Sequence, residues 1–119
     1  MEGNSPIDER SDGQCTPLRT LYFYLTHGCN LHCRHCWIVP KFDPEGRPEP
    51  SLDFELFQWI VTQAKPLGLT GVKLTGGEPL IHPNIREILD YVREQNLGLT
   101  VETNGTRCTP ELAEMMRAC

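Results

Sequence analysis

One local pattern occurs three times in this chain. A short apolar strand ends in threonine, a polar loop with unusual residues follows, and an amphipathic helix comes next. The first strand is read at 21–26, through Leu21-Tyr22-Phe23-Tyr24-Leu25 to Thr26. The second is read at 71–75, ending in Thr75, and the third at 97–103, ending in Thr103. Helices are expected at 51–65, 83–95 and 109–119. Leu52, Leu56 and Ile60 recur every four residues, with Phe57, Val61 and Ala64 alongside. Ile85, Ile88, Leu89 and Val92 give a one-sided stripe, and Leu112, Met115 and Met116 share a face, where the methionine pair reads as core packing. Ser51 is the expected N-cap of the first helix and Thr109 that of the third, with Pro110 behind it; Pro66 with Gly68, and Asn96, are the expected stops. Strands alternating with helices imply an α/β fold with a parallel sheet, and in such folds the loops after the strands' C-terminal ends form the ligand site. All three unusual loops are therefore expected on one rim.

Residues 1–17, rich in Gly, Ser, Asp and Pro, read as a flexible N-terminal tail, and 18–119 as the folded unit. The loop at 39–50 contains four of the ten prolines, which excludes a helix or a central strand there. With 119 residues there is room for one small domain. The formal net charge of -5 argues against nucleic-acid binding through phosphates. No apolar run approaches the roughly 20 residues needed to cross a bilayer, and the polar first residues do not form a secretory signal. A cytoplasmic location without membrane contact is the expectation.

Three of the six cysteines crowd into the segment 27–38, as Cys29-Asn30-Leu31-His32-Cys33-Arg34-His35-Cys36. In a reducing compartment such a cluster reads as metal binding, whereas Cys15, Cys108 and Cys119 are scattered and read as idle or buried thiols. Three thiolates in one tight loop suit a 4Fe-4S cube with one open iron. A Cys3His zinc site using His27, His32 or His35 is the rival on spacing alone, although structural zinc more often pairs two separated knuckles.

The order of motifs adds a resemblance. Cys-x3-Cys-x2-Cys after the first strand, Gly76-Gly77-Glu78-Pro79 after the second and Thr103-Asn104-Gly105 after the third together resemble the radical S-adenosylmethionine (SAM) superfamily, over Leu21 to Cys119. The resemblance implies a 4Fe-4S cluster on Cys29, Cys33 and Cys36, with the amino and carboxylate groups of SAM on the fourth iron. It puts His35 near the adenine, although a plain loop histidine is the alternative. Gly76, Gly77, Glu78 and Pro79 would receive the SAM ammonium, the glycines by close backbone approach. Thr103 and Asn104 would lie near SAM or the substrate, with a simple Asn-Gly turn as the alternative. Lys73 and Glu102, near strand ends, read more readily as solvent-facing or ion-paired than as substrate contacts.

The implied chemistry is reductive cleavage of SAM to a 5′-deoxyadenosyl radical and hydrogen abstraction, in peptide or cofactor maturation. It requires an external one-electron donor of flavodoxin or ferredoxin type. The family core has six strand–helix units and this chain supplies three, so the expected fold is a partial, incomplete (βα)6 TIM-like barrel. Its open third-strand edge calls for a partner or self-association. The other functional reading is a truncated, non-catalytic iron–sulfur or zinc module, or a fragment of a larger enzyme. Neither the substrate nor a catalytic side chain is legible.

Overall fold

The computed structural model describes residues 16–29, 31, 41–42 and 50–119. The expected tail therefore lies outside the described residues except for Thr16 and Pro17, as do His35, Cys33 and Cys36. The α-helices and β-strands among these residues are, in order, β1 Thr20–Tyr24, β2 Gly28–Cys29, β3 Lys41–Phe42, α1 Phe54–Ala64, β4 Gly71–Thr75, α2 Ile85–Glu94, β5 Gly98–Val101 and α3 Pro110–Arg117. The main sheet has the order β1-β4-β5, with both pairs parallel. Its register sets Tyr22 beside Lys73 and Lys73 beside Thr100.

Side-chain alternation divides this sheet into two faces. Phe23, Val72 and Leu74 are buried and join one core with Phe57, Val61 and Ala64 of α1, Ile85, Ile88, Leu89 and Val92 of α2, and Leu112 of α3. The Phe23 and Phe57 rings meet at 4.5 Å between centroids and 57° between planes. Tyr22 and Tyr24 point to the opposite face and are 60% and 51% exposed. There Lys73 lies 4.8 Å from the Tyr22 ring centroid and 2.8 Å from Glu102, an ion pair at the mouth of the sheet. On the outside of α1, Leu56 and Trp59 stand away from the core.

The helix ends follow local chemistry. Thr109 accepts the Leu112 N–H at 3.1 Å and Pro110 occupies the first turn of α3. After α2, Asn96 takes φ 56, the Leu97 N–H reaches the Val92 carbonyl at 3.2 Å and the Asn96 N–H reaches that of Arg93 at 3.0 Å. This closes a Schellman turn with Leu97 buried behind it.

Two expectations need correction. Ser51 does not cap α1: it pairs with Thr26 in an antiparallel bridge, and the helix starts after Asp53, whose side chain makes no capping bond. The reason is that 50–52 is tied to the end of the first strand segment, by His27 N–H to the Pro50 carbonyl at 2.8 Å and Leu52 N–H to the Leu25 carbonyl at 2.7 Å. In addition, the stretches read as loops contain a two-residue parallel ladder, Gly28–Cys29 with Lys41–Phe42. No helix among the described residues is long and apolar enough to cross a membrane.

Candidate functional site

The three threonine-ended loops meet at one rim of the sheet. At the end of β1 the chain turns at Thr26, whose hydroxyl accepts the Gly28 N–H at 3.0 Å and donates to the Pro50 carbonyl at 3.1 Å. The loop after β4 then zips onto this turn. Gly77 N–H donates to the Thr26 carbonyl and Glu78 N–H to the Gly28 carbonyl, each at 2.8 Å. The approach is too close for a side chain: a Cβ on Gly77 would stand 1.8 Å from the Gly28 oxygen. Gly76, at φ +124, would put its Cβ 2.7 Å from the Thr26 oxygen. The missing side chains thus make room for the chain's own backbone beside Cys29, a reason for the glycine pair that motif reading did not supply.

Glu78 joins the second loop to the third. It is 1% exposed, and protein donors occupy both of its oxygens. Oε2 accepts the Leu80 N–H at 3.0 Å, which caps the 3-10 turn Pro79–Ile81, and the Thr103 hydroxyl at 2.6 Å. Oε1 accepts the Asn104 N–H at 2.7 Å. Asn104 in turn extends its side-chain amide to Cys29, with Nδ2 at 3.9 Å from Sγ. Cys29 is buried, at 6% exposure.

Of the residues expected to form the site, the structure therefore brings together Cys29, Gly76, Gly77, Glu78, Pro79, Thr103 and Asn104. Lys73 and Glu102 pair with each other, and Thr75 Oγ1 donates to Glu102 at 2.9 Å. The Lys73 ammonium and these two hydrogen bonds lower the Glu102 pKa. Beside the glycines lies a cleft of about 480 Å³, lined by Tyr24, Thr26, His27, Ser51 and Leu52 among others. A buried thiol that accepts an amide N–H and faces a carboxylate-held loop suits an iron–sulfur ligand, since clusters are held by thiolates and tuned by hydrogen bonds to sulfur.

Sequence reading did not single out His82, which is 3% exposed. Its Nδ1 accepts the Asn84 N–H at 3.0 Å, so Nε2 carries the proton and donates to the Leu52 carbonyl at 2.5 Å. This tethers the segment after the GGEP loop to the residues leading into α1. Burial lowers the His82 pKa, against smaller opposing effects of the Leu52 carbonyl and of Asp53 and Glu87. A histidine flanked by Ile81 and Pro83 in a run otherwise apolar was the available signal.

Comparison with known proteins agrees with this geometry. The family profile described as "Radical SAM superfamily" matches residues 23–119. The antilisterial bacteriocin subtilosin biosynthesis protein AlbA of Bacillus subtilis is 37% identical over 97 residues, covering 80% of this chain and 20% of that protein. The mycofactocin maturase MftC of Mycobacterium ulcerans is 31% identical over 113 residues, covering 94% of this chain and 29% of that protein. Among solved structures, Streptococcus suis SuiB bound to the precursor peptide SuiA superposes with a TM-score of 0.69 at 24% identity, over 83% of this chain and 21% of that one. The chain thus spans less than a third of the length of these proteins.

Proposed function

Because the chain belongs to the radical SAM superfamily, we propose that Cys29, Cys33 and Cys36 hold a 4Fe-4S cluster and that the adjoining rim binds SAM. The observation carrying this reading is the convergence of the three loops: Gly77 seated on Gly28, and Glu78 holding Thr103 and Asn104, with Asn104 reaching Cys29. When bound, the pair supplies one-electron reductive cleavage of the SAM sulfonium to methionine and a 5′-deoxyadenosyl radical, which abstracts hydrogen from a substrate.

The residues of this chain divide the remaining work. Gly76 and Gly77 would receive the SAM ammonium through their backbone, and the buried Glu78 carboxylate would add a compensating negative charge while holding the loops in register. Pro79 directs the chain into the 3-10 turn. By family resemblance His35 would meet the adenine, and Thr103 would lie near SAM or the substrate. The electron comes from an external flavodoxin- or ferredoxin-type donor. AlbA and MftC are named for bacteriocin biosynthesis and mycofactocin maturation, so we assign the reaction to peptide or cofactor maturation.

The test is anaerobic reconstitution followed by iron, sulfide and zinc analysis and by EPR with and without SAM. Iron with sulfide, lost in Cys29→Ser, Cys33→Ser and Cys36→Ser, and an EPR signal that changes on adding SAM are expected. 5′-Deoxyadenosine formed with dithionite would establish turnover. Zinc in place of iron refutes the assignment, and a cluster indifferent to SAM leaves only a non-catalytic iron–sulfur module.

A further inference from the structure

We infer that Asn104 is a positioning residue that sets the reduction potential of the cluster, by donating a side-chain N–H to the sulfur of Cys29. The inference rests on the reading of Cys29 as a cluster ligand and adds a role for a residue seventy-five positions away.

The orientation of the Asn104 amide is fixed by its other end. Oδ1 accepts the Thr106 backbone N–H at 3.0 Å and the Thr106 hydroxyl at 2.8 Å. A backbone N–H can only donate, so the oxygen must face Thr106 and the NH2 must face the sulfur. The residue's main chain is held as well, through its N–H on the buried Glu78 carboxylate at 2.7 Å. Both the backbone and the amide plane of Asn104 are thus restrained before any cofactor arrives. Cys29 is buried, where a single dipole acts with less solvent screening than at the surface.

A donor aimed at a ligating sulfur favours the state with more electron density on that sulfur. Adding one electron to the cluster increases that density, so the Asn104 amide stabilises the reduced form over the oxidised and raises the potential. The Asn104 contacts to Glu78 and Thr106 lie within the loops and explain its backbone placement.

The experiment is an EPR-monitored redox titration of the full chain, reconstituted anaerobically, as wild type, Asn104→Ala and Asn104→Ser. Serine keeps a hydroxyl able to hold the turn to Thr106 but is too short to reach Cys29, so it preserves the test if alanine disturbs folding. At one fixed solution potential the ratio of reduced to oxidised cluster is expected to fall about fivefold in both variants, with iron and sulfide content unchanged. A midpoint that stays in place, or moves positive, in a variant with a full cluster overturns the role of Asn104. If wild-type protein takes up no iron and sulfide, the cluster assignment itself fails, and that result appears before any variant is compared.

Discussion

Glu78→Gln is the sharpest perturbation of the rim, because it keeps size and shape and changes one oxygen to NH2. In the native structure the Leu80 and Thr103 donors share Oε2 and the Asn104 donor takes Oε1. The Thr103 hydroxyl can reverse and accept, but the Leu80 and Asn104 N–H groups cannot. Whichever way the new amide turns, its NH2 faces one of those two backbone donors. One charge-assisted bond is then lost and the other becomes neutral. Hydrogen bonds to charged groups contribute ~1.5–3 kcal/mol and neutral ones ~1 kcal/mol, so the expected loss is ~2–5 kcal/mol. With urea m-values of ~1–3 kcal/mol per molar for small domains, the unfolding midpoint should fall by about 1 M or more. Circular dichroism of the metal-free chain through a urea series at pH 7 measures this, and the Asn104 amide resonance reports the local change. A midpoint equal to or above wild type, with the same m-value, would refute the reasoning. It would mean that desolvating the buried carboxylate costs more than its three donors return.

Gly77→Ala forces a Cβ to within 1.8 Å of the Gly28 oxygen unless the loops part. A loss of about 3 kcal/mol and reduced iron uptake are expected, measured by urea unfolding and by iron analysis. His82 is a base whose pKa is lowered in the folded chain. The unfolded state therefore binds its proton more readily, and the contribution to stability is complete above the unfolded value of about 6.5 and declines as pH falls below it. Thermal unfolding across this range should show that slope in wild type and lose it in His82→Gln. Strands β1 and β5 each pair with a single neighbour among the described residues, and Tyr22 and Tyr24 are exposed beside them. Light scattering coupled to size exclusion should therefore show concentration-dependent self-association, and a monomer across the micromolar range would count against it.

The repeating strand–loop–helix order was legible because it is local. Val72, Leu74, Ile88, Leu89 and Val92 show their faces through spacing alone, and Thr109 with Pro110 announces a helix start. The errors occur where distant backbone overrides local preference. Ser51 has the chemistry of a cap, but Thr26, twenty-five residues earlier, claims it for a bridge. Gly77 reads as a cradle for a ligand, and its nearest crowding group is the carbonyl of Gly28. The composition of the site was likewise visible as three motifs in order, but its wiring was not. Nothing near Glu78 in sequence shows that its carboxylate belongs to Thr103 and Asn104, or that Asn104 belongs to Cys29. Such pairings depend on strand register, which sequence spacing does not encode.

Trp59, standing outside α1 at 61% exposure, has a practical consequence for spectroscopy. Its indole is already largely hydrated in the native chain, so its emission should change little when the core melts. The second tryptophan, Trp37, follows Cys36 directly in sequence. A Trp59→Phe background would therefore isolate the Trp37 emission, and any change in it on iron loading, without removing a core side chain.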